Sequence, residues 1–152
     1  MNTIRTYLPT AARLFLGAVF TIFGLNFFFH FLPMPPAPPR ATAFAGALFA
    51  SGYLFPLLKT TEVVAGLLLL GNRFVTLALA VLAPIVINIV AFHAFLAPAG
   101  MAVPLAVLAA ELYLAWAYRT AYAPMLKARV ARPTAAAQTL AVAAKSAPHL
   151  AA

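Results

Sequence analysis

The chain contains no cysteine and no aspartate, and its only acidic residues are Glu62 and Glu111 among 152 positions. Without thiols there can be no disulfides, no thiolate metal sites and no iron–sulfur clusters. Charge of either sign is scarce: 8% of the residues are charged against 65% hydrophobic, and the mean hydropathy is +0.99. Soluble domains carry about a quarter charged residues, so this composition excludes that class and indicates an integral membrane protein. The length suits one compact bundle rather than two domains, and no internal repeat stands out. The ten Lys and Arg leave a formal charge of +8. In so apolar a chain, basic residues mark orientation, and no nucleic-acid partner is expected.

What is present is a succession of apolar runs. The first extends from about Ala11 to Leu32, too long for the core of a secretory signal, and is taken as a retained transmembrane helix. Pro33-Met-Pro-Pro-Ala-Pro-Pro39-Arg40 cannot be helical and should form an extended connector. From Ala41 to Leu70 the chain is again almost wholly apolar, which exceeds one untilted span of about 20 residues. The second span is therefore placed at about 51–70, starting near Ser51 and kinked at Pro56. The preceding Ala41–Ala50 should lie at the membrane interface or dip into it, with Gly46 and Ala50 offering a small face for close packing. Gly71-Asn-Arg73 reads as a tight turn. The third span is expected over 74–95 and the fourth over 105–122, where Trp116, Tyr118 and Tyr122 suit an interfacial belt. The part from 127 to 152 is an Ala-rich basic tail with no means of building a core, and deleting Ala131 to Ala152 should leave membrane insertion and thermal stability nearly unchanged. The expected fold is all-α, a four-helix membrane bundle occupying about residues 1–126.

Orientation follows from counting cations. With both termini cytoplasmic, Arg5, Arg13, Arg73, Arg119, Lys127, Arg129, Arg132 and Lys145 fall inside, and only Arg40 falls outside. The positive-inside bias then places both termini in the cytoplasm and the protein in the cytoplasmic (inner) membrane.

Against this apolar background the polar residues are informative. Lys59 and Glu62 lie three apart on one helical face, which Gly66 continues one turn on. Ionisable groups at such depth are costly unless paired or turned toward a protein interior. Asn26 and His30 share a face of the first span, Asn88 and His93 occupy the second half of the third, and Glu111 lies in the fourth. The orientation sets all seven in the middle-to-outer part of the membrane, where convergence on one cavity costs less than facing lipid. Asn88 and His93 are five apart, about 140° around a helix, so they should not both point straight inward. The cluster admits three readings. The first is a pocket for a small amphipathic molecule such as a quinone headgroup. The second, less favoured, is a b-type haem held by His30 and His93. The third is structural glue, or a docking face for a redox complex or another copy of the chain. No metal site is expected.

Arg13-Leu-Phe-Leu-Gly17, Phe23-Gly24-Leu25-Asn26, Glu62-Val-Val-Ala-Gly66-Leu-Leu-Leu-Leu-Gly71-Asn-Arg73 and Phe92-His93 together resemble the DoxX family of small four-helix membrane proteins. The resemblance spans about residues 11–122 and stops short of the tail; the Pro-rich first loop also departs from the family pattern. It implies the four-helix fold, matched positions at Arg13, Glu62 and Gly66, and a tie to quinone-linked oxidoreductase complexes of respiratory membranes.

Overall fold

The computed structural model describes residues 2–128, and their side chains from residue 7 onward. Among the described residues every regular element is a helix: α1 (Asn2–Phe29), α2 (Pro39–Ala50), α3 (Leu54–Leu70), α4 (Val75–Leu96), α5 (Ala102–Ala117) and a short α6 (Arg119–Tyr122), with one 3-10 turn at Pro98–Gly100. These fall in a first compact unit, Met1–Tyr122. Of the second unit, Ala123–Ala152, only a turn at 123–126 and the two residues after it are described; nearly all of the basic tail lies outside the described residues.

Tyr7–Phe29 of α1 and the whole of α4 are each long and apolar enough to cross a membrane. The α2–α3 pair meets the same test only as a single broken span, bent by 94°. By itself α5 has 16 residues, about 24 Å of helix, short of a hydrocarbon core of about 30 Å. Among the described residues, two or three spans therefore meet the length and composition test.

The element boundaries follow local chemistry. Past Phe29, His30 takes a left-handed conformation at φ 51°, and the prolines that follow cannot continue a helix. Asn26 folds back over that end: its Oδ1 accepts the Leu32 N–H at 2.6 Å and its Nδ2 donates to the Leu32 carbonyl at 3.2 Å. Pro39 opens α2, where its fixed φ is already helical and no N–H is needed. Between α2 and α3, Gly52 adopts φ 76°, and Ser51 bridges the corner by donating to the Leu48 carbonyl and accepting from the Leu54 N–H. The turn from α3 to α4 uses left-handed Asn72 and Phe74.

Two expectations change here. The bend assigned to Pro56 lies instead at 51–53, and Pro56 sits in the first turn of α3, where a missing N–H costs nothing. The fourth apolar run starts earlier than expected, at Ala102, and breaks at Tyr118 before α6.

One core joins four of the helices. Leu16 and Phe20 of α1, Leu69 of α3, Leu79 and Leu82 of α4, and Leu114 of α5 are all buried in it. Directions alternate. Along α1, Gly17 lies against Gly66 and Leu70 while Gly24 lies against Lys59 and Val63, so α1 and α3 run antiparallel. Gly100, just before α5, packs on His93 near the end of α4, and the Tyr122 hydroxyl after α5 donates to the Thr76 carbonyl at the start of α4. The α1–α3 seam is made of small residues because the backbones nearly touch. By contrast, a Cβ placed on Gly46 of α2 would meet nothing within 4 Å among the described residues, so the close packing expected of that glycine is not made by any of them.

Candidate functional site

At the first half of α3 the apolar pattern is interrupted by Lys59 and Glu62, and the helix brings them together. Lys59 Nζ donates to Glu62 Oε2 at 2.8 Å and to Oε1 at 3.1 Å. The carboxylate is 3% exposed and the ammonium side chain 20%. In low dielectric, such a pair is tolerated because each charge satisfies the other.

The pair lies on the wall of a half-open cavity of about 680 Å³ between α2, the first half of α3 and the second half of α4. Phe44 and Leu48 of α2, Phe55 and Leu58 of α3, and Ile85 and Phe92 of α4 supply an apolar lining. The aromatic rings also hold α2 in place as the outer wall. Phe44 meets Phe92 at 6.0 Å between centroids, while Phe49 meets Phe27, whose ring stacks on Phe55 at 5.5 Å. The volume and the mostly apolar lining with few polar groups suit a small lipophilic molecule.

Opposite the ion pair, Asn88 and His93 of α4 line the same cavity. Their spacing predicted that both would not point straight inward. The cavity takes in both because it is a groove running along α4 from Pro84 to Leu96 rather than a central channel. Asn88 Nδ2 donates to the Pro84 carbonyl at 3.1 Å, and His93 Nδ1 lies 2.8 Å from the Ile89 carbonyl. A carbonyl can only accept, so Nδ1 carries the proton and Nε2 is left as an acceptor.

The other three residues of the anticipated cluster are elsewhere. Asn26 is buried but spent on fastening the end of α1, and His30 is an exposed residue of that same end. Neither lines the cavity, so His30 and His93 do not share it. Glu111 is 5% exposed and lies on the α5 face that carries buried Val107 and Leu114, away from the groove. Its Oε2 and the Thr21 hydroxyl are buried without a hydrogen-bond partner among the described residues.

Arg13 has a separate task. Its guanidinium is buried and Nη1 donates to the carbonyls of Leu69 and Leu70, the latter at 3.2 Å. Both are last-turn carbonyls of α3, that of Leu69 also accepting the Asn72 N–H at 3.2 Å, and a cation there complements the helix dipole. Arg13 is therefore a cap, and Glu62 is paired within its own helix. The sequence did not reveal the α2 wall: Phe44 and Leu48 carry no polar signal, and only the unexplained surplus of apolar residues before Ser51 pointed to an extra element.

Comparison with models of known protein families, with characterised proteins and with solved structures gives no match to this chain.

Proposed function

We propose that the chain is a DoxX-like four-helix protein of the cytoplasmic membrane, with both termini in the cytoplasm and a cavity in its outer half for a quinone-like lipophilic ligand. It would work within or beside a membrane redox system. The observation that carries this reading is the cavity itself: about 680 Å³, lined by aromatic and aliphatic side chains, with an ion pair on one wall and a singly committed imidazole on the other. Membrane quinones need an apolar, aromatic-rich slot for ring and tail, and a few polar groups to meet the two oxygens. The match of Arg13, Glu62 and Gly66 to the DoxX pattern supports the family reading, since all three sit at the α1–α3 contact or on the cavity wall.

The orientation is supported by the clustering of cations. Arg13 caps the end of α3, Arg73 sits in the following turn, and Arg119 lies just past α5, so all three belong to one end of the antiparallel helices. The cavity, built from the opposite halves of α3 and α4, is at the other end. Reporter enzymes fused within 70–74 are expected to be cytoplasmic, and those placed within 35–40 or 97–102 to be on the far side. A periplasmic reporter in the turn between α3 and α4 would invert the site and overturn the outer-half assignment.

A second reading is a non-catalytic accessory subunit or assembly factor. It is favoured by the broad apolar exposure of Phe95, Leu112 and Trp116, which a partner helix could cover as well as lipid. Purification in mild detergent followed by organic extraction and mass spectrometry separates the two. Stoichiometric quinone is the result expected of the first reading; a ligand-free protein that co-purifies with a defined membrane complex would establish the second.

A further inference from the structure

We infer that a second copy of the chain packs against α4 along a seam with Asn88 at its centre. The chain itself leaves that seam uncovered. Leu77, Val81, Pro84, Asn88 and Phe95 are exposed and Ala91 is half-buried, and the six recur at alternating intervals of four and three residues. On a helix this spacing gathers them into one stripe, the seven-residue repeat by which two parallel helices interlock. Leu79, Leu82 and Val86 lie on the opposite side of α4 and are spent in the core of the chain.

Five of the six seam residues are apolar and suit lipid as well as protein. Asn88 suits only protein. It stands about 4 Å along the axis from the mid-point of a 22-residue helix, at the depth of acyl chains. A carboxamide has two N–H donors and a carbonyl acceptor. One N–H goes to the Pro84 carbonyl at 3.1 Å; the other N–H and Oδ1 meet no described residue, and the side chain is exposed. Acyl chains can pair neither, and a polar group left in hydrocarbon without a partner is costly.

What is left over on Asn88 identifies the occupant. Two copies inserted the same way are related by a two-fold axis along the membrane normal, which sets Asn88 opposite Asn88 at one depth. The spare N–H of each then donates to Oδ1 of the other, and neither side chain keeps an unpaired group. A wholly apolar helix could not do this. One asparagine in an otherwise apolar seam also fixes register and the number of helices, and asparagine hydrogen-bonds across helices within membranes. Pro84, Asn88, Ala91 and Phe95 line the cavity as well, so the second copy would stand across its open side. The pairing does not depend on which ligand the cavity takes.

The chain has no cysteine, so single introduced cysteines report without background. The test reconstitutes the full-length protein in phosphatidylcholine liposomes, labelled at Ala99→Cys in the 3-10 turn, and counts dimers by single-molecule photobleaching as lipid dilutes the protein. A reversible monomer–dimer equilibrium is expected. Asn88→Leu should weaken it about tenfold, on the scale of one or two interhelical hydrogen bonds in a membrane, without lowering the melting temperature. Asn88→Gln, which keeps the carboxamide, should recover part of the loss. The place of contact is read separately: on oxidation Val81→Cys in the seam is expected to link two copies, and Leu112→Cys, more exposed but on α5, is not. A protein that is monomeric at every dilution, a dimer indifferent to Asn88→Leu, or a cross-link through Leu112→Cys and not Val81→Cys overturns the inference. So does Asn88-dependent capture of a different membrane protein by a chain that is monomeric alone. Ligand retention is not read in any of these measurements, so the quinone-like site stands or falls separately.

Discussion

Replacing Glu62 by alanine is expected to lower the detergent stability of the protein by about 3–5 kcal/mol, and adding Lys59→Ala to restore part of that loss. The reasoning starts from the geometry. Both oxygens of a nearly inaccessible carboxylate are held by one ammonium group, at 2.8 and 3.1 Å, on the wall of an apolar cavity. Removing the carboxylate leaves Lys59 charged in low dielectric with no compensating partner described in the structure, and breaking a buried pair from one side costs about 3–5 kcal/mol. Whole domains are stable by only about 5–15 kcal/mol, so the loss is a large share of the total. Removing both members replaces an unpaired charge with apolar surface, which is often close to neutral. A double-mutant cycle by thermal melting measures the coupling directly. If the double variant is no more stable than Glu62→Ala alone, the pair is not the source of the cost. Because the pair also borders the cavity, ligand retained through purification should fall in Glu62→Ala and not in Glu111→Gln, whose side chain does not line the cavity.

How far the sequence discloses this arrangement depends on which interactions are local. The Lys59–Glu62 pair is legible because three-residue spacing on a helix settles the geometry whatever the tertiary fold. The α4 boundaries are legible to within a residue because a long apolar run between a Gly-Asn-Arg turn and a proline leaves few alternatives. The role of Arg13 is not legible, since capping the last carbonyls of α3 requires a contact across 56 positions. Asn26 and His30 mislead for the same reason in reverse. Their four-residue spacing suggests a shared functional face, whereas Asn26 turns onto Leu32 and His30 leaves the helix altogether. Proline is a further lesson. Pro56 was expected to bend the second span because a proline within a helix removes a hydrogen bond. The chain instead breaks four residues earlier, at Gly52, and begins a new helix in which that proline is harmless. A single apolar run thereby becomes two helices at 94°, and the cavity exists because of that corner.

The close α1–α3 seam gives the other large effect. Gly66→Ala should destabilise the protein by about 1–3 kcal/mol, although alanine is the better helix former by about 1 kcal/mol. The added methyl would lie 2.8 Å from the Thr21 backbone nitrogen and 2.9 Å from the Gly17 carbonyl oxygen. Neither atom can move without shifting α1, and α1 is tied to α3 at one end by Arg13 and stacked on its first turn at the other through Phe27 and Phe55. Thr21 Oγ1 would also be met, at 2.5 Å, which provides a diagnostic. Were the clash one of side chains, Thr21→Ala would relieve it; because the backbone is in contact, the double variant should stay well below the parent carrying Thr21→Ala alone. Gly46→Ala is the matching control. It is also a helical glycine in an apolar segment, but its added methyl meets nothing within 4 Å among the described residues, so propensity alone should make it neutral or slightly stabilising. Thermal melting of the four variants decides the matter. If Gly66→Ala behaves like Gly46→Ala, the two helices are not in backbone contact, and Glu62 would lose the rigid helix that presents it to the cavity.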